Sequence, residues 1–183
     1  MHTTPSDAEL VADASAGHNG AFAILYERYR RRIHAFTRRM VFDDALAEDI
    51  VHDTFIKART SLASLHSAAS VRAWLFRIAR NEALTKLRSE KRTTLSDDEP
   101  WDDSTPLDLL IEAEKTDAVH RLLELLKPEY REVLILREYD EMSYDEIAAV
   151  TETSLLSVKS RIFKARKALS AKLKALYAER KQS

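Results

Sequence analysis

The chain has 183 residues, 45% of them hydrophobic and 32% charged, with a formal net charge of −1. That is enough to bury one domain or two small ones. The absence of cysteine excludes a disulfide framework, a thiol nucleophile and a cysteine zinc site. With two glycines and four prolines in a background rich in Ala, Leu, Glu, Lys and Arg, composition favours an all-α protein. The acidic N-terminal stretch lacks the apolar run of a secretory signal, and no stretch approaches the roughly 20 apolar residues needed to span a bilayer. A cytoplasmic protein is expected.

Taken in chain order, Asp7–Ala16 is a short amphipathic helix that Gly17 can stop. A longer helix follows from about Gly20 to Val41, with Phe22, Leu25, Tyr26, Tyr29, Ile33 and Phe36 at helical spacing. Asp43 and Asp44 suit the positive end of a third helix, which carries Leu46, Ile50, Val51, Phe55 and Ile56 to about Ala58. Ser61–Ser70 reads as a loop whose last serine can cap a fourth helix, Val71–Glu90. Val71, Trp74, Leu75, Ile78, Leu84 and Leu87 give that helix its apolar side. "TTLSDDEPWDDSTP", Thr93–Pro106, breaks the pattern with two prolines and five acids and reads as a flexible acidic linker.

Periodicity resumes over Leu107–Leu126, and Pro128 suits the first turn of another helix, where its missing N–H costs nothing. That helix holds Val133, Leu134 and Leu136 and ends near Tyr139. Ser143 and Glu146 have the spacing of a capping box ahead of Ile147, Ala148 and Val150. After Thr151–Thr153 comes Ser154, a second good cap, and then a stripe of Val158, Ile162, Ala165, Leu169, Leu173 and Leu176. Lys159, Arg161, Lys164, Arg166 and Lys167 fill much of the remaining circumference, and no acid occurs from Ser154 to Leu169. A short helix, a tight turn and a capped basic helix form a helix-turn-helix pattern. Its second helix can offer N-terminal residues to base edges and lysines or arginines to phosphates.

"LKPEYREVLILREYDEMSYDEIAAVTETSLLSVKSRIFKARKAL" resembles the promoter −35-binding domain of bacterial extracytoplasmic-function (ECF) sigma factors, group 4 of the sigma-70 family. "AFAILYERYRRRIHAFTRRMVFDDALAEDIVHDTFIKA" resembles the polymerase-binding stretch of the same family, and "SVRAWLFRIARNEALTKLRSEKR" its −10 reader. The chain departs from the family pattern in placing Glu152 where glycine is usual and Leu156–Ser157 where a small pair is common. His52, Arg59 and Thr85 likewise replace a frequent Gln, Trp and Asp.

The resemblance implies three parts: sigma region 2 over residues 1–92, the acidic linker over 93–106 and sigma region 4 over 107–183. It implies −35 contacts from Ser154, Leu155, Ser157, Val158, Lys159 and Ser160, continued by Arg161, Lys164, Arg166 and Lys167. For the −10 element it implies Leu65, His66 and Ser67 of the loop. On the following helix it adds Arg72, Trp74, Arg77, Arg80, Asn81 and Arg88, with Trp74 more readily read as core. A basic helix beside a loop can supply cations for a single strand and a pocket for an unstacked base. Glu48, Asp49, His52, Asp53 and Phe55 are implied to dock on core RNA polymerase, whose largest-subunit clamp and flap are the expected partners. An anti-sigma factor, often membrane-bound in the family, is a further implied partner. The linker acids could imitate RNA phosphates in the polymerase channel or simply solubilise a tether.

Enzymatic chemistry is not expected: the six histidines are scattered without metal-ligand spacing, and no glycine-rich phosphate loop occurs. No cofactor, metal or small-molecule substrate is implied. Two other readings fit the residues alone, a stand-alone helix-turn-helix regulator and a helical scaffold with incidental basic faces.

Overall fold

The computed structural model describes residues 5–62, 65, 71–93 and 115–180, and among them every regular element is helical. The chain divides into two compact units, Met1–Lys86 with Ala149–Thr151, and Leu87–Ala148 with Glu152–Ser183. The acidic segment 94–106, the start of the helix expected from Leu107, and Ser70 as a cap all lie outside the described residues.

In the first unit, α1 (Asp7–Ser15) opens on a capping box in which Ser6 accepts from the Glu9 amide and Glu9 accepts from the Ser6 amide. These bonds hold the Glu9 carboxyl below the usual carboxylate range. Gly17 ends the segment at φ +93°, a conformation that disfavours a side chain. α2 (Asn19–Val41) buries Leu25, Tyr29, Ile33, Phe36 and Met40, one stripe at three- and four-residue spacing. Asp7 ties α1 to α2 by accepting from Arg28 and from the Tyr29 hydroxyl. Burial, reinforced by Asp7, pushes the Tyr29 phenol far above its ordinary range.

Phe42 turns the chain in a left-handed conformation, and Asp43 caps α3 (Asp44–Ser61) by accepting from the Leu46 amide at 2.8 Å. The short turn reverses direction, so Phe55 meets Tyr26 and Phe22 edge-on, at centroid distances of 4.7 and 6.4 Å. α3 buries Ala47, Ile50, Val51, Thr54, Phe55 and Ala58. Ile56, expected among them, is 49% exposed because it lies off that 3–4 repeat. α4 (Val71–Thr93) crosses the pair: Phe76 packs on Phe36 at 5.4 Å, and Lys57 reaches Glu82 at 2.5 Å. Its buried line runs through Val71, Trp74, Leu75, Phe76, Ala79 and Ala83. Ile78, Leu84 and Leu87, expected on the apolar side, are half-exposed.

The second unit holds α5 (Lys115–Glu124), α6 (Pro128–Leu134), most of α7 (Tyr144–Thr151) and α8 (Leu155–Arg180). Pro128 does open α6, which continues through a wider π-helical turn over Ile135–Tyr139. Val133, Leu134, Ile135 and Leu136 are buried there, and α5 and α6 both pack on α8. The side chain of Arg131 is the fastener: it donates to the carbonyls of Leu123, Glu124 and Leu126 at 2.8–3.0 Å. Those carbonyls end α5, where intrahelical partners run out. Burial lowers the Arg131 guanidinium to about 10, so it remains charged at neutral pH.

Candidate nucleic-acid interface

The helix-turn-helix is built by two caps and one uncommon backbone residue. Ser143 accepts from the Glu146 amide at 3.1 Å while Glu146 accepts from the Ser143 amide at 2.8 Å, which fixes the start of α7. α7 stops at Glu152, whose φ of 53° is left-handed; a glycine would hold this turn without the side-chain penalty. Ser154 then accepts from the Ser157 amide at 3.2 Å and starts α8.

Along α8 the predicted stripe of Val158, Ile162, Ala165, Leu169 and Leu173 is buried. Leu176 lies beyond the side chains described. Val158, assigned from the resemblance to DNA contact, is fully buried, so its part is to seat its neighbours against the core. Lys159, Ser160, Lys164 and Lys167 are exposed, as are Ser154 and Leu155, with Ser157 half-exposed. Two of the five cations are held within the unit. Arg161 lies 3.4 Å from the fully buried carboxylate of Glu132, and Arg166 lies 2.6 Å from Glu138. The three lysines are left facing outward, unpaired with acids among the described residues. The same face carries Leu156, 78% exposed, and Phe163, 71% exposed, neither of which sequence spacing singled out. Phe163 was visible only in reverse, as a large apolar residue off the buried stripe, whereas Leu156 stood out as a departure from the family's small pair.

Along α4, Arg72, Arg77 and Arg80 are half-exposed, and Asn81 and Arg88 are exposed. Arg80 donates to the Asn81 side chain at 3.2 Å. Trp74 is only 6% exposed, so it is a core residue that supports this face from beneath. Leu65 is half-buried, whereas His66 and Ser67 lie outside the described residues.

On α3, Glu48, Asp49 and His52 are exposed, and Asp53 sits 3.8 Å from Lys86. Phe55 does not join them; at 5% exposure it belongs to the core. Glu48, Val51 and His52 line a groove whose opposite wall is Tyr26, Arg30, Arg31 and His34 of α2. Cations thus face the acidic helix across a cleft of about 540 Å³. No group of three or more His, Asp or Glu side chains suited to a metal occurs among the described residues, and none of their helices is long and apolar enough to cross a membrane.

Comparison with known proteins finds the same two parts in the same order. Residues 25–93 match Sigma-70 region 2 and residues 116–169 match Sigma-70, region 4. The chain is 30% identical to the RNA polymerase sigma-H factor of Pseudomonas aeruginosa, over 98% of this chain and all of that one. It is 33% identical to the ECF RNA polymerase sigma-E factor of Escherichia coli, over 93% of this chain and 96% of that one. Among solved structures, CnrH in complex with the cytosolic domain of CnrY aligns with a TM-score of 0.72 at 30% identity, over 93% of this chain and 99% of that one. The sigma factor RpoE of Bartonella quintana, in complex with the anti-sigma factor NepR, aligns with a TM-score of 0.65 at 27% identity. That alignment spans 81% of this chain and 93% of RpoE. From its two matched regions and its full-length relatives, the chain belongs to the sigma-70 family, and within it to the ECF sigma factors that direct promoter-specific initiation by RNA polymerase.

Proposed function

We propose that this sigma factor divides its work between three faces. Lys159, Lys164 and Lys167 of α8 hold phosphates of the −35 duplex while Ser154, Leu155, Ser157 and Ser160 approach base edges. Arg72, Arg77, Arg80, Asn81 and Arg88 of α4, with the loop around Leu65, His66 and Ser67, grip the opened −10 strand. Glu48, Asp49, His52 and Asp53 of α3 dock on the polymerase clamp. The residues 1–92, 93–106 and 107–183 are the three working parts, and the protein acts in the cytoplasm, where polymerase is. CnrH and RpoE were solved with CnrY and NepR. By that likeness an inhibitory protein covers one or both DNA-facing surfaces of this chain.

The observation that carries the reading is the sorting of charge on α8. Glu132 and Glu138 pair with the arginines at its margins, and three lysines remain on an acid-free outer face. Such a face, set behind a capped turn, suits a polyanion. The polymerase contact is tested by Glu48→Ala with Asp49→Ala. Both residues are exposed, so folding stability is expected to change by less than about 0.5 kcal/mol. Affinity for core polymerase, read by titrating labelled protein, is expected to fall about tenfold or more. Unchanged affinity would show that α3 is not the docking face.

A further inference from the structure

The most exposed large apolar side chain described is Leu156, at 78%. It stands in the first turn of α8, two residues after the Ser154 cap, on the face shared with Ser160 and Phe163. A lone exposed leucine needs no explanation on an ordinary surface. This one sits where a recognition helix presents side chains to base edges, within a lysine-lined, acid-free face whose charge complements DNA. Its side chain can neither donate nor accept a hydrogen bond. In the major groove the apolar group available to it is the C5 methyl of thymine.

We propose that Leu156 is a specificity-determining residue that reads the C5 methyl of one thymine in the −35 element. The inference rests on the reading that α8 enters the −35 major groove. Leu156 covers the methyl and excludes water from it, while the lysines fix the helix on the backbone and Ser157 and Ser160 remain for polar edges. Covering one methyl corresponds to roughly a three- to fivefold preference for thymine over uracil at that position.

The test uses holoenzyme assembled from core RNA polymerase and the full chain, on a promoter located by transcript mapping. Each thymine of the −35 element, on either strand, is replaced in turn by deoxyuridine, which removes only the methyl. One position is expected to lose roughly three- to fivefold in affinity. Leu156→Ala should lose the same factor on the parent duplex and show no further loss on that deoxyuridine duplex. Leu156→Met should retain the discrimination. Because the side chain lies outside the core, circular dichroism should be the same for all three proteins. Wild-type indifference to every deoxyuridine, or an Ala variant that still discriminates, would overturn the inference while leaving −35 binding in place. It is equally overturned if Leu156→Ala weakens only an inhibitor complex, because the face would then serve a protein partner. If the holoenzyme ignores the −35 element altogether, the groove reading fails and the inference with it.

Discussion

Arg131→Met is expected to destabilise the second unit by about 3 kcal/mol. The guanidinium is 6% exposed and supplies donors to three carbonyls at the end of α5. Hydrogen bonds from a charged donor contribute about 1.5–3 kcal/mol each, and removing the donor leaves buried acceptors without partners. Relief from burying a charge offsets part of this, which brings the sum to the stated value rather than a multiple of it. Methionine restores apolar volume but no donor. Lysine keeps the charge without the planar fork, so Arg131→Lys should recover only part of the loss. Hydrogen exchange on the full chain is the suitable measurement. Protection should fall across α5, α6 and α8 and stay unchanged in α1 to α3, whereas unchanged protection at α5 would show that Arg131 is not the fastener.

The double charge reversal Lys159→Glu with Lys164→Glu should have the largest effect on DNA binding. Each lysine is exposed, and the substitutions remove no acid–base pair among the described residues. Loss of two phosphate contacts lowers the slope of log affinity against log salt by about 1.8, at about 0.9 per contact. At about 1.5 kcal/mol per lost charge-assisted contact, affinity for a −35 duplex should fall roughly a hundredfold at low salt. Arg166→Glu supplies the contrast. Its guanidinium already faces Glu138, so a smaller change of slope is expected. Equal slopes for the wild type and the double variant would remove the lysines from the phosphate interface.

These effects separate what local pattern reveals from what it does not. Caps depend on a few neighbouring residues, so Ser143 with Glu146, and Ser154, were readable, as was Pro128 at the start of α6. Asp43 was read for its charge at the helix start rather than as the cap it forms. The α8 stripe was equally plain, because one face of a long helix is a simple period. Phe55, Trp74 and Val158 were placed on apolar stripes by their spacing and are buried accordingly; it is the contact roles added to them by the resemblance that burial rules out. Side chains whose role depends on distant elements were not legible. Arg161 and Arg166 look like groove cations until Glu132 and Glu138, nearly thirty residues earlier, are brought against them. The π-helical turn at Ile135–Tyr139 was not foreseen from the periodic pattern. Glu152 shows the converse: the turn was expected, and the chain adopts its left-handed geometry despite lacking the glycine.

The proposed division into three faces is an account of how this chain selects promoters, and transcript mapping tests that role most directly. Genomic DNA is transcribed by core polymerase with and without the full-length protein, and RNA 5′ ends are sequenced. The prediction is a set of start sites that appear only with the protein and share two upstream elements, at −10 and −35. Start sites unchanged by its addition, with the protein binding duplex DNA by itself, would rule out that role and leave a stand-alone DNA-binding protein in its place.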